Sequence, residues 1–174
     1  MEHLILRQWK DADLEPFAAM NTDPEVMFHF PAPLSRAESE ASMKKFRDAI
    51  DERGWGLWAV EIDGKFAGYT GLSIPRFTAH FTPCTEVGWR FHREFWGRGL
   101  AYRAACEALA YGFNTLKLPE IVSFTAGTNI RSQRLMARLG FTHDAEEDFD
   151  HPALPEGHVL RRHVLYRKQR NHKT

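Results

Sequence analysis

The chain has 174 residues, of which 43% are hydrophobic and 13% aromatic, which predicts a single folded domain over 1–174 rather than a disordered protein. Lys plus Arg and Asp plus Glu number 23 each, so the charge balance argues against a dedicated nucleic-acid-binding protein. The two cysteines, Cys84 and Cys106, form no C-x-x-C motif, which argues against a disulfide framework or a structural zinc site. No apolar run is long enough for a signal peptide or a membrane span, so we expect a cytoplasmic protein without a membrane partner.

The first half of the chain predicts a strand, two helices and a hairpin. Ser35 and Glu38 form a capping box, which indicates the start of a helix with an apolar stripe. Asp63 and Gly64 between two strand-like runs are typical of a tight hairpin turn. The predicted elements are strand 3–9, helix 11–20, helix 35–52, strand 55–62 and strand 66–74.

The second half predicts a strand–helix–strand unit followed by a helix and two strands. Val87, Trp89 and Phe91 alternate with polar or small residues, so the strand that carries them has one apolar face. Small residues at helical spacing in the next segment would let a helix approach the sheet closely. The predicted elements are strand 84–92, helix 97–113, strand 119–125, helix 129–139, a strand from 141 and strand 158–167, with a loop at 148–157 and a frayed tail at 168–174.

Residues 95–104, FWGRGLAYRA, place two glycines at a strand-to-helix junction. The first N–H groups of a helix have no internal partners and carry partial positive charge, and Gly97 and Gly99 would let a phosphate reach them. Arg98 adds a positive charge. The alternative is a tight turn with no ligand. The segment is not a P-loop, and Tyr102 stands where a full G-x-G-x-x-G motif has its third glycine.

The hexapeptide WGRGLA at 96–101 resembles the pyrophosphate-binding motif Q/R-x-x-G-x-G/A of the GCN5-related N-acetyltransferases, the GNAT superfamily, with tryptophan at its first position. W-G-x-G-x-A is typical of the branch that includes the ribosomal-protein N-terminal acetyltransferases RimJ and RimL. A second block, from Asn129 and Ser132 to Gly140 and Phe141, resembles the family's N-x-x-S-x-x-x-x-x-x-x-G-F. The similarity extends from the first strand to Tyr166.

The resemblance implies an α+β fold with a twisted, mostly antiparallel sheet of six or seven strands and about four helices. Two central parallel strands, here 84–92 and 119–125, would splay apart to admit the pantetheine arm of acetyl-CoA. Backbone groups of strand 84–92 would bind that arm, and N–H groups of the glycine turn would bind the pyrophosphate. The residues implied in acetyl-CoA binding are Trp89, Arg90, Phe91, Trp96, Gly97, Arg98, Gly99, Leu100, Ala101, Tyr102, Asn129 and Ser132.

The implied reaction moves an acetyl group from acetyl-CoA to a primary amine, either a protein N-terminus or a small molecule. An amine of pKa near ~10.4 is almost fully protonated at neutral pH, so a base or a water relay to one is useful. We assign the role of base to Glu86. The alternatives for this residue are an exposed strand carboxylate and an ion-pair partner for Arg90. Met136 stands where many family members have a catalytic tyrosine, so the acid role falls to Ser132 or to no side chain.

Phe30, Trp55 and Trp58 are candidates for the acceptor wall, and His163 or Tyr166 should face the cleft from the last strand. Metal binding is not expected, because the two histidine-containing sets lack ligand spacing on one rigid element. Those sets are Asp148 with Asp150 and His151, and His158 with His163.

Three functions remain open: an N-acetyltransferase, a non-catalytic acyl-CoA-binding regulatory module and a nucleotide-binding protein. Cys84 as an acyl-carrying nucleophile is a minor alternative, because no histidine in a local motif would activate it. An exposed strand edge near the C-terminus would make a homodimer plausible.

Overall fold

The computed structural model describes residues 2–170. Within that range, an eight-stranded sheet is flanked by four α-helices, which confirms the α+β prediction. The elements are β1 (Leu4–Arg7), α1 (Leu14–Thr22), α2 (Arg36–Arg53), β2 (Leu57–Ile62), β3 (Lys65–Ser73), β4 (Glu86–Phe91), α3 (Leu100–Ala110), β5 (Glu120–Ala126), α4 (Ile130–Arg138), β6 (Thr142–His143), β7 (Phe149–Asp150) and β8 (Arg162–Gln169). The sheet order is β1-β2-β3-β4-β5-β8-β6, with β7 also paired to β8.

Local sequence signals set the ends of several elements. The Ser35 hydroxyl accepts the Glu38 N–H, and the Glu38 carboxylate accepts the Ser35 N–H, so the predicted capping box begins α2. Gly54 ends α2 with a φ of 79°, in the left-handed region where glycine is least strained. The chain reverses between β2 and β3 at Asp63 and Gly64, as the hairpin signal predicts.

The C-terminal part of the sheet differs most from the prediction. The last strand begins at Arg162 rather than at 158, and it includes Lys168 and Gln169, which pair with β5. The predicted start of the frayed tail, at residue 168, is therefore wrong, because 168 and 169 belong to the last strand. Residues 171–174 lie outside the described residues. The predicted loop at 148–157 contributes β7, and the resulting eight strands exceed the predicted six or seven.

The outer side of β8 is not an open edge. The two-residue strands β6 and β7 both pair with it there, while β5 covers its other side. Short strands of this kind protect a sheet edge from pairing with another chain. The exposed C-terminal edge on which the expected homodimer rested is thus largely covered.

The parallel pair β4 and β5 separates almost at once. Its register holds a single Cα pairing, Glu86 with Val122, although both strands continue beyond it. The Val122 N–H donates to the Thr85 carbonyl at 2.9 Å, and the Ser123 hydroxyl donates to the Val87 carbonyl at 3.0 Å. These two hydrogen bonds close the apex of a fork, which confirms the expectation of a splayed central pair.

The helices cover opposite faces of the sheet. Consecutive residues of β2 show this, since Ala59 packs with the α1 and α2 side chains and Val60 packs with those of α3. On α3, Ala104, Ala105 and Ala108 are fully buried, which brings the helix close to β3 and β4. Within residues 2–170, no helix combines the length and hydropathy that a membrane crossing requires.

Candidate active site

A cleft of about 1010 Å³ opens where β4 and β5 diverge and reaches the N-terminus of α3 and one face of α4. It brings together most of the residues that the sequence singled out. Those that line it are Phe30, Glu86, Trp89, Arg90, Phe91, Trp96, Gly97, Gly99, Leu100, Ala101, Tyr102, Asn129, Ser132 and His163.

Three predicted residues lie elsewhere. Trp55 and Trp58 pack against the α3-side core, where Arg53 stacks over Trp55 at 4.4 Å and Tyr111 meets the Trp58 ring edge-on. They are not part of the acceptor wall, because Leu57 takes the cleft-facing position of β2. The Arg98 side chain forms an ion pair with Glu2 instead of lining the cleft.

Backbone alternation decides which groups of β4 face the cleft. The His92 N–H donates to the Ala67 carbonyl, so the backbone groups of even-numbered β4 residues point towards β3. The backbone groups of Trp89 and Phe91 then point towards β5, where the fork has opened. The Trp96 indole N–H already occupies the Phe91 carbonyl at 2.9 Å. Trp89 is therefore best placed to bind a ligand, whereas the expected backbone role of Arg90 does not fit.

The glycine turn has the shape of an anion site. Gly97 and Gly99 have φ values of 74° and 72°, and a Cβ added at either would meet no atom of residues 2–170 within 4 Å. The described residues also provide no side-chain cap for the N-terminus of α3, and its first turn has no acidic residue. The N–H groups at the helix start are thus available to a diphosphate, and the fold itself does not fill the space beside them.

Three arginines of α4 line the cleft, and the sequence reasoning missed them. Arg131 stacks over the Trp96 ring at 4.1 Å, and Arg138 stacks over the Tyr102 ring at 4.9 Å. Arg134 lies between them, so the spacing i, i+3, i+7 places all three on one helix face. That spacing was the available signal. The α4 arginines, rather than Arg98, give the phosphate end of the cleft its positive charge.

Glu86 lies at the apex of the fork with its side chain on the cleft face of β4. Burial raises the pKa of its carboxyl group to about 8, against the opposing effect of a hydrogen bond from the Ser73 hydroxyl at 3.3 Å. Among the described residues, Arg90 makes no ion pair with it and donates instead to Asn21 at 2.7 Å. The ion-pair explanation of Glu86 is therefore not what the structure shows.

Ser132 and Asn129 face β4 across the cleft. The Asn129 side chain caps α4 by accepting the Ser132 N–H at 3.2 Å, and its amide donates to Thr125. The Ser132 hydroxyl accepts the Trp89 indole N–H at 3.4 Å. Met136 is 1% exposed and belongs to the core, so it supplies no proton donor.

Aromatic and imidazole rings line the end of the cleft nearest to β8. His163 and His151 stand 4.9 Å apart between ring centroids, and burial lowers the pKa of both, so they are neutral near pH 7. Tyr166 instead stacks on His143, away from the cleft. Burial raises the pKa of the Cys84 thiol to about 11, which disfavours a thiolate nucleophile.

Within residues 2–170, no three His, Cys, Asp or Glu side chains come together as a metal site would need. His151 packs against Phe77 and Phe149, and His143 pairs with Asp148 at 2.8 Å. Of the metal candidates that the sequence raised, His151 and His163 thus have aromatic neighbours, and Asp148 pairs with a histidine outside those sets.

A model of the acetyltransferase (GNAT) domain matches residues 3–142 of the chain. The chain belongs to the GNAT acetyltransferase family. FsC-acetyl coenzyme A-N(2)-transacetylase of Aspergillus fumigatus is 31% identical to this GNAT protein over 151 residues. The match covers 80% of this chain and 64% of the Aspergillus protein, so the chain spans less than two thirds of that relative's length. The expectation of an acetyltransferase is confirmed at the level of the family.

Solved structures of proteins named as acetyltransferases share the fold at low sequence identity. YncA of Salmonella typhimurium, solved with its cofactor acetyl-CoA, has a TM-score of 0.72 at 18% identity, and the match covers 98% of this chain and 96% of that one. RimL, a ribosomal L7/L12 alpha-N-protein acetyltransferase solved with coenzyme A, has a TM-score of 0.74 at 14% identity over 95% and 93% of the two chains. The predicted GNAT fold is thereby confirmed.

Proposed function

We propose that this GNAT protein transfers the acetyl group of acetyl-CoA directly to a primary amine. The observation that carries the proposal is the continuity of one cleft, which runs from the open turn at Gly97 and Gly99, past the backbone of Trp89, to the carboxyl group of Glu86. This order matches the donor's own chemistry, a diphosphate followed by an amide-bearing arm and a thioester.

In this proposal the phosphate end of the cleft binds by charge and by main-chain hydrogen bonds. The N–H groups at the start of α3 take the diphosphate, and the arginines of α4 supply the countercharge. Trp96 positions the start of α3 and the α4 arginines. Its indole N–H donates to the Phe91 carbonyl of β4, and Arg131 stacks on its ring. These residues would bind and orient the donor without taking part in the transfer.

Glu86 is the proposed general base. A carboxyl group with a pKa of about 8 is close to the operating pH, which is the condition under which general-base catalysis is most efficient. Glu86 would take a proton from the acceptor ammonium, directly or through a water. The freed amine nitrogen then attacks the thioester carbon to form a tetrahedral adduct. As the adduct collapses, the C–S bond breaks and the sulfur leaves as a thiolate. The nitrogen loses its second proton in the same step, which balances the proton that the thiolate takes up.

Ser132 is the proposed proton donor to that thiolate. Its hydroxyl already accepts the Trp89 indole N–H, so its own hydrogen is free to point into the cleft. Placing the acid on a serine is consistent with Met136, which is buried and has no proton to give.

The nature of the acceptor atom and the branch of the family also belong to this proposal. The Aspergillus relative is named as an N(2)-transacetylase, which supports a nitrogen acceptor here. The W-G-R-G-L-A turn and the likeness to RimL support a place near the N-terminal acetyltransferases. A small amine and a protein N-terminus both remain acceptors of the proposed reaction.

A thiol-release assay tests the proposal. The protein is incubated with acetyl-CoA and a panel of small amines and N-terminal peptides, and each product is identified by mass spectrometry. We expect thiol release that depends on the amine and a product acetylated on nitrogen. Alcohols that match the amines in size serve as controls. Binding of acetyl-CoA without amine-dependent release would instead indicate a non-catalytic acyl-CoA-binding module.

A further inference from the structure

Arg90 stands on the cleft face of β4, four residues beyond Glu86. Its guanidinium lies 4.0 Å from the centroid of the Phe30 ring and 5.4 Å from that of Tyr69. Both rings line the same cleft on the side covered by α1 and the segment after it. The side chain of Arg90 therefore belongs to the wall that an acceptor would meet, opposite the α4 arginines.

Within the described residues, the hydrogen bonds of Arg90 use only one of its two terminal nitrogens. Nη1 donates to the Asn21 side-chain oxygen at 2.7 Å, and Asn21 is fully buried and anchored to Ser39. Among residues 2–170, the buried Nε has no hydrogen-bond partner either, so Asn21 is the group that fixes the guanidinium. Nη2 is the nitrogen left for a ligand, and its N–H groups can donate to a carboxylate oxygen.

The positive charge of Arg90 is also not neutralised by the described residues. Asn21 orients the guanidinium but carries no charge. The neighbouring Arg93 takes Asp23 at 3.3 Å and also pairs with Glu25, so those carboxylates are committed elsewhere. Glu86 accepts its hydrogen bond from Ser73 and, among the described residues, makes no ion pair with Arg90. A cleft that holds an unpaired cation selects for an anionic group on its ligand.

We propose that the acceptor is a small amine that also carries a carboxylate, which binds the guanidinium of Arg90 at Nη2. This inference rests on the proposed acetyl transfer to an amine. A single carboxylate matches the single charge of Arg90, and the Phe30 ring covers the guanidinium face so that only its edge remains for a ligand.

The spacing along β4 adds a constraint on the acceptor's length. Four residues of strand separate the Cα atoms of Glu86 and Arg90 by roughly 13 Å at about 3.3 Å per residue. An amine near Glu86 and a carboxylate at Arg90 are thus several bonds apart. Acceptors of this class are ω-amino acids, or amino acids acetylated on a side-chain amine rather than on the α-amine.

A set of matched acceptors tests this with the wild-type protein. 6-Aminohexanoate is compared with 6-aminohexanamide and hexylamine, which keep the chain length but lack the negative charge. We expect kcat/KM for the carboxylate to exceed that for the amide by about tenfold or more, from one charge-assisted hydrogen bond. Equal rates for the three would overturn the inference, as would a preference for 6-aminohexyl phosphate or for a peptide with an acidic second residue.

Variants of Arg90 locate the source of the preference. In Arg90→Gln, the ratio of kcat/KM for 6-aminohexanoate to kcat/KM for 6-aminohexanamide should fall to about one. The change should come chiefly from a higher KM for the carboxylate. Arg90→Lys keeps the charge but not the planar edge, so it should retain part of the ratio. Arg93→Gln is the matched control, because Arg93 is paired with acids, and it should keep the wild-type ratio. An unchanged ratio in Arg90→Gln would contradict the proposal.

The outcomes separate this inference from the function on which it rests. If amines are acetylated without any preference for a carboxylate, the inference fails and the proposed function stands. If no amine is acetylated, both fail. If Arg90→Gln does not fold by circular dichroism, the wild-type acceptor series and Arg90→Lys still decide the question.

Discussion

At the scale of single residues, the chemistry depends on where a side chain is buried rather than on its type alone. Glu86 and Glu94 lie eight positions apart, but Glu86 is partly buried where it lines the cleft at the fork, and Glu94 is a mostly exposed carboxylate. Burial disfavours the charged form of Glu86, so its pKa rises to about 8. The same carboxyl group that destabilises the fold when ionised is thus matched to proton abstraction near neutral pH.

Glu86→Gln tests that assignment through the pH profile. In the wild-type protein, log kcat/KM should bend near pH 8, because below that pH both the base and the acceptor amine still have to lose a proton. The variant should lose rate by roughly 10²–10⁴-fold and show no bend, since only the amine then titrates. Glu94→Gln is the control and should keep the bend. An unaltered profile in Glu86→Gln would remove Glu86 as the base.

The raised pKa of Glu86 also predicts how stability varies with pH. The unfolded carboxyl group has a pKa of about 4.3, so folding takes up a proton between about pH 4.3 and the folded pKa of about 8. The wild-type contribution is complete below that window and is lost as pH rises through it. The Tm of Glu86→Gln relative to wild type should therefore increase across the window and level off above it, as thermal unfolding at several pH values would measure.

Residue-scale prediction from sequence succeeded where strand alternation sets a side chain's direction. The alternation of β4 placed Glu86 and Arg90 on the face away from Val87, as the structure has them. It failed for Trp55 and Trp58, because the register of β2 against the cleft depends on its pairing with β3. A long side chain such as Arg98 could not be placed, since its partner Glu2 lies far away in sequence.

At the scale of elements, the junction between β4 and α3 combines an irregular turn with a regular helix. Gly97 and Gly99 adopt left-handed φ values, which glycine tolerates at little cost. Alanines on the buried face of α3 then bring its N-terminus close to the sheet. Each signal is local in the sequence, which is why this junction could be predicted. The α4 arginines face the same junction only after the chain has folded, so their role could not.

Gly99→Asn tests whether the open space at the turn belongs to a ligand. Asparagine adopts a left-handed φ more readily than most residues, so the fold should tolerate it, while its side chain would occupy the space beside the helix start. We expect the affinity for acetyl-CoA to fall at least tenfold, by calorimetric titration, with a small change in Tm. The fall would follow from steric exclusion of the diphosphate.

Gly54→Asn is the matched control for that variant. Gly54 has a φ of 79° and equally open surroundings, but it ends α2 outside the cleft. Its substitution should cost similar stability and leave acetyl-CoA affinity unchanged. Equal affinities for the two variants and the wild type would argue against the anion site at Gly99.

At the scale of the whole molecule, the order of helices and strands could be read from the sequence, but the completion of the sheet could not. Strands β6 and β7 have two residues each, too few for a periodic signal, and they form only because β8 offers a partner. The prediction that β4 and β5 splay apart rested on the family resemblance rather than on any local sequence pattern. Non-local pairing of this kind is set by tertiary packing.

The whole protein should be stabilised selectively by its donor. A ligand at about 100 times its Kd adds about 2.7 kcal/mol, which for a chain of this size corresponds to a Tm increase of roughly 5–10 °C. We expect coenzyme A and acetyl-CoA to produce this shift, and ATP or NAD at equal concentration to produce little. A larger shift with ATP or NAD would support a nucleotide-binding protein instead.

The fork between β4 and β5 has a mechanical consequence. Main-chain hydrogen bonding between β4 and β5 almost ceases there, so the sheet has two halves, β1–β4 and β5–β8. Val122 and Ser123 join the halves, and α3 bridges them. The proposed acceptor end of the cleft is formed by both halves of the sheet. Phe30 and Arg90 lie beside the β1–β4 half, and His163 lies on the β5–β8 half. A donor bound between β4 and β5 would fix the angle between the two halves of the sheet and so complete the acceptor's binding surface. For the proposed acetyl transfer we therefore expect ordered binding, with the donor before the acceptor.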